Sequence, residues 1–252
     1  MSPTTTIRVV IPWLAGCEYR QADLAYVLKW WRDHHPTWPV TVGTHHDGPW
    51  RKGLAVHNAG PYEDDSVIIV ADADVIPSMI IEAVSVVLRR GGWAMPHKTV
   101  YRLTHSATAA LVTGNPLPDP NAHRRLLQPQ LQRVHPGYAG GGITVVHGRV
   151  LQDVPIDPRF AGWGQEDQSW GFALSRMAGS PWRGQSILWH LWHPPQDRMP
   201  TPAGATDRGI GSPMSAALYG RYRSATTPDT MRALVQEARE ILDQQHTVTT
   251  RP

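Results

Sequence analysis

Two carboxylates one residue apart, Asp72 and Asp74, close the apolar run "SVIIVAD" and precede a proline at position 77. Open α/β sheets bind ligands outside the carboxyl ends of their strands, so a strand finishing on Asp-Ala-Asp places acid where a site belongs. Residues two apart on an extended segment share a side, so both carboxylates can face one ligand. Hard oxygen donors suit Mg²⁺ or Mn²⁺, ions commonly shared with substrate phosphates. The competing reading makes Asp74 the N-cap of a helix opening near Pro77.

Three further stretches carry chemistry-bearing residues. In "GWGQEDQSWG" (162–171) glycines flank Trp163, letting backbone approach a ligand and leaving the ring free to stack. Glu166 and Asp167 follow at an expected helix N-terminus, where the dipole favours ionised carboxylates and one could act as a general base. Two solvated acids capping a helix are the plainer alternative. In "WHLWHPP" His190 and His193 lie three apart, so on a strand they point to opposite faces and are not expected to share a metal. One of them beside the Asp pair could complete a cation site. "YAGGGI" (138–143) reads as a tight turn or as backbone lying against a substrate.

The elements that must position these residues follow from periodicity. "IRVVIPW", "PVTVGT" and "SVIIVAD" read as strands, the last apolar on both faces. Between and after them lie "RQADLAYVLKWWRDH", with Leu24, Val27, Leu28 and Trp31 at helical spacing, "PWRKGLAVHNAG", and "PSMIIEAVSVVLRRGG" with Pro77 in its first turn. This alternation predicts an α/β domain with a mainly parallel central sheet. Strands are expected in "WAMPHKTVYRLT", "GITVVH" and "SILWHLWH", and a helix from Glu166. Residues 114–137 read as a Pro/Gly-rich loop with a short helix, and 199–227 as a linker or wrap. Met231, Leu234, Val235, Ala238, Ile241 and Leu242 form one stripe of a closing amphipathic helix over 228–246, expected to dock on the domain.

Composition bounds the rest. The chain has 252 residues, 41% hydrophobic and 18% charged, which argues for a packed core and against global disorder. A net charge of +3 without a basic block gives no sign of a nucleic-acid partner. The single cysteine, Cys17, excludes an internal disulfide, and no apolar run reaches bilayer length, so a cytoplasmic enzyme without a membrane span is expected. Eleven Trp against two Phe suggest indoles lining a binding surface, with a Trp-rich core as the alternative.

In order along the chain, "IPW", "RQADLAYVLKWW", "WRKGLAVHNAG", "VIIVADADVIP", "YAGGGITVVHGRV", "FAGWGQEDQSWG" and "LWHPPQDR" resemble the GT-A fold glycosyltransferases. The β-1,4-galactosyltransferase family and the catalytic domains of the polypeptide N-acetylgalactosaminyltransferases share this order of motifs. The resemblance runs from Ile7 to Arg198 and implies a single catalytic domain over 1–198, with a nucleotide-sugar half (7–92) and an acceptor half (93–198). It implies that Asp74 ligates a divalent metal, Mn²⁺ or Mg²⁺, with His193 as a second ligand and His190 as the fallback. Asp72 would face the ribose or reach the metal through water. Pro12 and Trp13 would meet the nucleobase, with Arg20 the nearest substitute for an arginine motif that "WLAGCEYR" does not preserve. Lys52, Asn58 and Ala73 would border the nucleotide-sugar. Gly141 and Gly142 would lie near donor sugar and acceptor. Trp163 and Gly164 would hold the acceptor, Glu166 would hydrogen-bond the sugars, and Asp167 would be the base. Gln165 and Gln168 replace a Gly and an acid of the galactosyltransferase pattern, so that family's substrate preferences do not transfer.

The implied activity is metal-dependent, inverting transfer of a hexose or N-acetylhexosamine from a nucleotide-sugar, most simply a UDP-sugar, to an acceptor hydroxyl on a glycan, protein or small molecule. Two other readings compete: a nucleotidyltransferase acting on sugar phosphates, and a non-catalytic carbohydrate-binding module. The first calls for a Gly-rich basic loop after the first strand, where this chain has one Gly and one Arg. The second has no need of acids, a late His and a base together.

Overall fold

The computed structural model describes residues 5–45, 48–119, 124–127, 132–133, 141–194 and 213–249. Its first part alternates as the sequence predicts: β1 (Ile7–Trp13), α1 (Glu18–His34), β2 (Val40–Thr44), α2 (Lys52–Asn58) and β3 (Val67–Ala71). β1 lies between β2 and β3 and is parallel to both. Side chains of β1 and β3 alternate between two cores. Val9, Ile11, Val67, Ile69 and Ala71 join one, while Val10, Ile68 and Val70 join the other. That period of two explains why β3, and β1 from Val9 onward, are apolar at every position: both faces of the sheet are covered.

Beyond β3 the sheet is mixed rather than mainly parallel. The later elements are β4 (Val75–Pro77), α3 (Ile81–Arg90), β5 (Trp93–Arg102), α4 (His105–Val112), β6 (Gln132–Arg133), β7 (Ile143–His147) and α5 (Gly148–Asp153). They are followed by α6 (Glu166–Met177), β8 (Trp182–His190), α7 (Pro213–Ser224) and α8 (Pro228–Thr249). The strand order is β2-β1-β3-β7-β5-β8-β4, with β6 pairing β5 off this path. β7 runs antiparallel to both β3 and β5, and β4 antiparallel to β8, whereas β5 and β8 are parallel. An apolar strand buried on both faces shows its burial in its composition but not its direction.

Three local expectations are corrected. The helix after the Asp pair begins at Ile81 with Ile80 as N-cap, so Asp74 caps nothing. Residues Val75–Pro77 form β4 at the sheet edge, where a proline's missing N–H costs little. Residues 213–224 of the expected wrap are helix α7. The rest of that wrap, 199–212, lies outside the described residues, as do 120–123, 128–131 and 134–137 of the expected loop.

One core packs α1, α3 and α4 on one face of the sheet through Leu24, Val27, Trp31, Val84, Val87 and Leu111. The other packs α2, α5, α6, α7 and α8 on the opposite face, with Met231, Leu234 and Val235 of the terminal stripe inside it. The expected docking of α8 is thus present. A buried carboxylate ties this layer to the chain entering α6. Asp157, 3% exposed, accepts from the Tyr222 hydroxyl at 2.8 Å and from Arg159 Nη2 at 2.6 Å, and Arg159 also pairs with Glu237 of α8. Further on, Ala161 donates its N–H to Ser215 Oγ at 3.2 Å, and Gly162 to the Trp50 carbonyl at 2.8 Å. The C-terminal helices therefore hold the base of the loop that carries Trp163.

Candidate active site

The chain after β3 turns at Ala73–Asp74 instead of continuing extended. The two carboxylates consequently part company. Asp72 faces inward to a lysine, and Asp74 faces two imidazoles and an arginine.

Lys52, the first residue of α2, is 7% exposed and donates to Asp72 Oδ1 at 2.7 Å and to Asp167 Oδ1 at 2.8 Å. These partners lie 20 and 115 residues away from it in sequence. Burial works against its charge, but the carboxylates of Asp167, Asp72 and Glu166 more than offset this, and Lys52 is held well above the usual lysine range. Asp72 is also locked from its other side: its Oδ2 accepts from the Gly142 N–H at 2.9 Å, and its own N–H donates to the Gly142 carbonyl at 2.7 Å. Gly142 takes φ +105°, a region L side chains rarely adopt, and a Cβ there would meet Leu188 Cδ2 at 2.3 Å.

Gly141 provides room for Asp167. A Cβ at position 141 would sit 2.5 Å from Asp167 Oδ2. Since Lys52 pins Asp167 by its other oxygen, the carboxylate cannot simply swing away. Gly141→Ala is expected to displace the Asp167 carboxylate by about 1 Å, a shift that costs a reacting group on the order of 10²-fold in rate. Circular dichroism should show the fold retained; full turnover in this variant would separate Asp167 from the chemistry.

Asp167 and Glu166 open α6, as the sequence predicts. They differ sharply in setting. Asp167's side chain is 26% exposed. Glu166 is 6% exposed, and its Oε2 has no hydrogen-bond partner among the described residues. Burial, with the Asp167 charge beside it, pushes the Glu166 carboxyl up to about 8 despite Lys52 nearby. Burial thus opposes the charge that the helix dipole favours at this position. A buried carboxylic acid can donate to a substrate oxygen, which a carboxylate cannot.

On the other side, Asp74, His190 and His193 bring one ligand atom each within 4.8 Å of one another. The two histidines were expected on opposite faces of a strand. β8 ends at His190, however, and the chain turns off, with the Leu191 N–H donating to the Asp74 carbonyl at 2.8 Å. His193 Nε2 then lies 3.2 Å from Asp74 Oδ2, and His190 Nε2 3.9 Å from Oδ1. The donor chemistry fits a divalent cation. Each Nδ1 is paired with a backbone carbonyl, that of Leu191 at 2.6 Å and that of Pro194 at 2.9 Å, which sets the proton on Nδ1 and turns Nε2 toward the aspartate. Burial brings His190 down to about 4 despite the Asp74 charge, so it is neutral as a ligand must be. Asp74 itself is opposed by burial but held well below the usual carboxylate range by His190, His193 and Arg20.

No protein-family model matches the chain, and no curated protein matches it. Among solved structures, it superposes on the catalytic domain of Drosophila β1,4-galactosyltransferase 7, determined in complex with xylobiose, with TM-score 0.50 and 12% identity over 90% of this chain and 84% of that one. The fold is GT-A. Weaker likenesses are to GalNAc-T7 determined with UDP, GalNAc and Mn²⁺ (TM-score 0.49, 13% identity, 98% of this chain and 55% of that one) and to glucosyl-3-phosphoglycerate synthase from Mycobacterium tuberculosis determined with Mn²⁺, UDP-Glc and phosphoglyceric acid (TM-score 0.43, 16% identity, 87% and 79%).

Within the GT-A fold, the other expected residues fall as follows. Pro12 and Trp13 end β1 opposite Gly43 and Thr44, both buried. Exposed Asn58 donates to the Thr44 carbonyl at 3.0 Å, at the end of β2. Ala73 is buried in the turn. Trp163 is half-buried and stacks on Trp50 at 5.8 Å, while Gly164 beside it is exposed. The Arg20 guanidinium lies 4.2 Å from the Trp163 ring centroid and 5.8 Å from that of Trp13, and its Nε is 3.7 Å from Asp74 Oδ2. Arg20 thus belongs to the acid–imidazole side of the site. Among the described residues, Asp74, His190 and His193 form the group that could hold a cation. Tyr138–Gly140 lie outside the described residues.

Two residues of the site escaped the sequence. Arg102, at the end of β5, donates from Nη1 to His190 Nε2 at 3.1 Å. Asp23, on α1, is 2% exposed and feels the charges of Asp74, His193 and Arg20. Arg102 gave no local signal. Asp23 gave a faint one, an acid three residues after Arg20 on the face of α1 that carries Val27 and Trp31.

Proposed function

We propose that this chain is an inverting, divalent-cation-dependent glycosyltransferase that moves a hexose or N-acetylhexosamine from a nucleotide-sugar, most simply a UDP-sugar, to an acceptor hydroxyl. The observation that carries the reading is Lys52, which joins Asp72 at a strand end to Asp167 at a helix start, with the Asp74–His190–His193 cluster on the neighbouring turn. A fold shared with a galactosyltransferase supports it.

In this reading Asp167 accepts the acceptor's proton as the acceptor oxygen bonds to the anomeric carbon. The bond from that carbon to the diphosphate oxygen breaks, and its electron pair leaves with the nucleoside diphosphate. One base and one in-line displacement invert the anomeric centre. Lys52 orients Asp167 and fixes Asp72 toward the donor. Protonated Glu166 donates a hydrogen bond to a sugar oxygen, and Trp163 offers a ring edge or face to the acceptor once Arg20 yields. Asp74, His190 and His193 would hold Mn²⁺ or Mg²⁺, which neutralises charge on the departing diphosphate. Asp72 serves the donor, not the ion.

The test is a thermal-shift screen of nucleotide-sugars with Mn²⁺ and with EDTA, followed by donor hydrolysis and transfer assays. A UDP-sugar should raise the melting temperature with Mn²⁺ and not with EDTA, and release UDP. A protein inert and unbound with every nucleotide-sugar sinks the reading. Release of pyrophosphate would make it a nucleotidyltransferase, and sugar binding indifferent to nucleotide and Mn²⁺ a carbohydrate-binding module.

A further inference from the structure

The Asp74 cluster has a second carboxylate behind it. Asp23 sits on α1, the helix that packs against β4 just beyond Asp74. Asp23 is 2% exposed, and its Oδ2 has no hydrogen-bond partner among the described residues. Burial and then the Asp74 charge push its carboxyl up to about 7, and the His193 and Arg20 charges pull it back. Arg20, one turn earlier on α1, places its Nε 3.7 Å from Asp74 Oδ2, so this face of the helix is directed at the cluster.

Such an arrangement is poorly balanced as it stands. A carboxylate buried beside another carboxylate, with one oxygen unmatched, is an expense that folded proteins rarely carry without a role. Arg20 answers only part of it, being shared with Asp74 and with the rings of Trp13 and Trp163. A divalent cation on Asp74, His190 and His193 would add two positive charges to the cluster that Asp23 faces, outweighing the single negative charge of Asp74. Mn²⁺ and Mg²⁺ also keep several waters, whose hydrogens need acceptors. An unmatched buried oxygen near the ligand cluster is such an acceptor.

We infer that Asp23 is the outer-sphere carboxylate of this cation site, accepting a hydrogen bond from a water on the ion and so setting the site's affinity. The inference rests on the proposed cation-dependent reading. It makes Asp23 a positioning residue, one that touches neither donor nor acceptor. Outer-sphere partners of this kind typically contribute about 10–100-fold to metal affinity.

The experiment is a Mn²⁺ titration followed by electron paramagnetic resonance, with and without UDP, on the wild type, Asp23→Asn and Asp23→Ala, beside melting curves of each in EDTA. Asp23→Asn should bind Mn²⁺ about 10–100-fold more weakly. In EDTA it should melt at or above the wild-type temperature, because it relieves the burial of a carboxyl group with an unmatched oxygen. Asp23→Ala should show the same loss of Mn²⁺ affinity, which keeps the test open if the amide variant folds poorly. Equal Mn²⁺ affinity in the wild type and both variants overturns the role of Asp23 alone. So does a drop in EDTA melting temperature with unchanged Mn²⁺ affinity, the mark of a purely structural residue. A wild type that binds no Mn²⁺ in either arm overturns the cation-dependent reading itself.

Discussion

Asp167→Asn is expected to lower sugar transfer by about 10²–10⁴-fold, the usual contribution of a positioned general base, while the dissociation constant for the donor stays unchanged. The substitution keeps shape and still offers an amide oxygen to Lys52, which now donates at 2.8 Å to Asp167 Oδ1 and at 2.7 Å to Asp72. Donor-side geometry, held by Lys52, Asp72 and Gly142, therefore persists. What disappears is the proton acceptor beside Gly141. Single-turnover transfer measured with donor binding distinguishes this from misfolding: kcat should collapse with KM for donor intact. Normal transfer by Asp167→Asn would remove it as the base and direct attention to other acceptors in the cleft.

Asp74→Ala is the second large effect. It takes away the one anionic ligand of a three-member cluster and leaves two imidazoles facing Arg20. Mn²⁺ affinity should fall by more than the roughly 10–100-fold that outer-sphere partners contribute, and Mn²⁺-dependent stabilisation by UDP should vanish with it. The readouts are the Mn²⁺ titration and the melting curve with UDP. Metal-free folding should survive, because Asp74 forms its surroundings through its main chain too, its carbonyl accepting from Leu191. Undiminished Mn²⁺ binding in this variant would mean that the cluster is not the cation site. The two variants fail differently: Asp167→Asn loses turnover with the cation still bound, and Asp74→Ala loses the cation first.

Much of this site was legible because its signals are local. An apolar strand that stops on a carboxylate, glycines around a tryptophan, and an acid pair opening a helix are each written within a dozen residues. Their order along the chain pointed to the GT-A fold, which the structure has. Three features were not legible. Spacing alone allowed Asp72 and Asp74 to face one ligand, but a turn at Ala73–Asp74 sends them to different partners. His190 and His193 were expected apart, and the end of β8 brings them together. Glu166 was expected ionised at its helix start, and burial opposes that charge.

By itself, then, the sequence determined the strand–helix alternation, the placement of acids at strand and helix ends, and the docking stripe of α8. Each follows from periodicity or capping chemistry acting over a few residues. Only the tertiary structure decided the direction of the later strands, the bridging of Asp72 to Asp167 through Lys52, the pairing of two histidines with Asp74, and the burial of Asp23 and Glu166. Those depend on which distant segments exclude water together. Charge, protonation and ligand geometry respond to that exclusion and not to spacing along the chain.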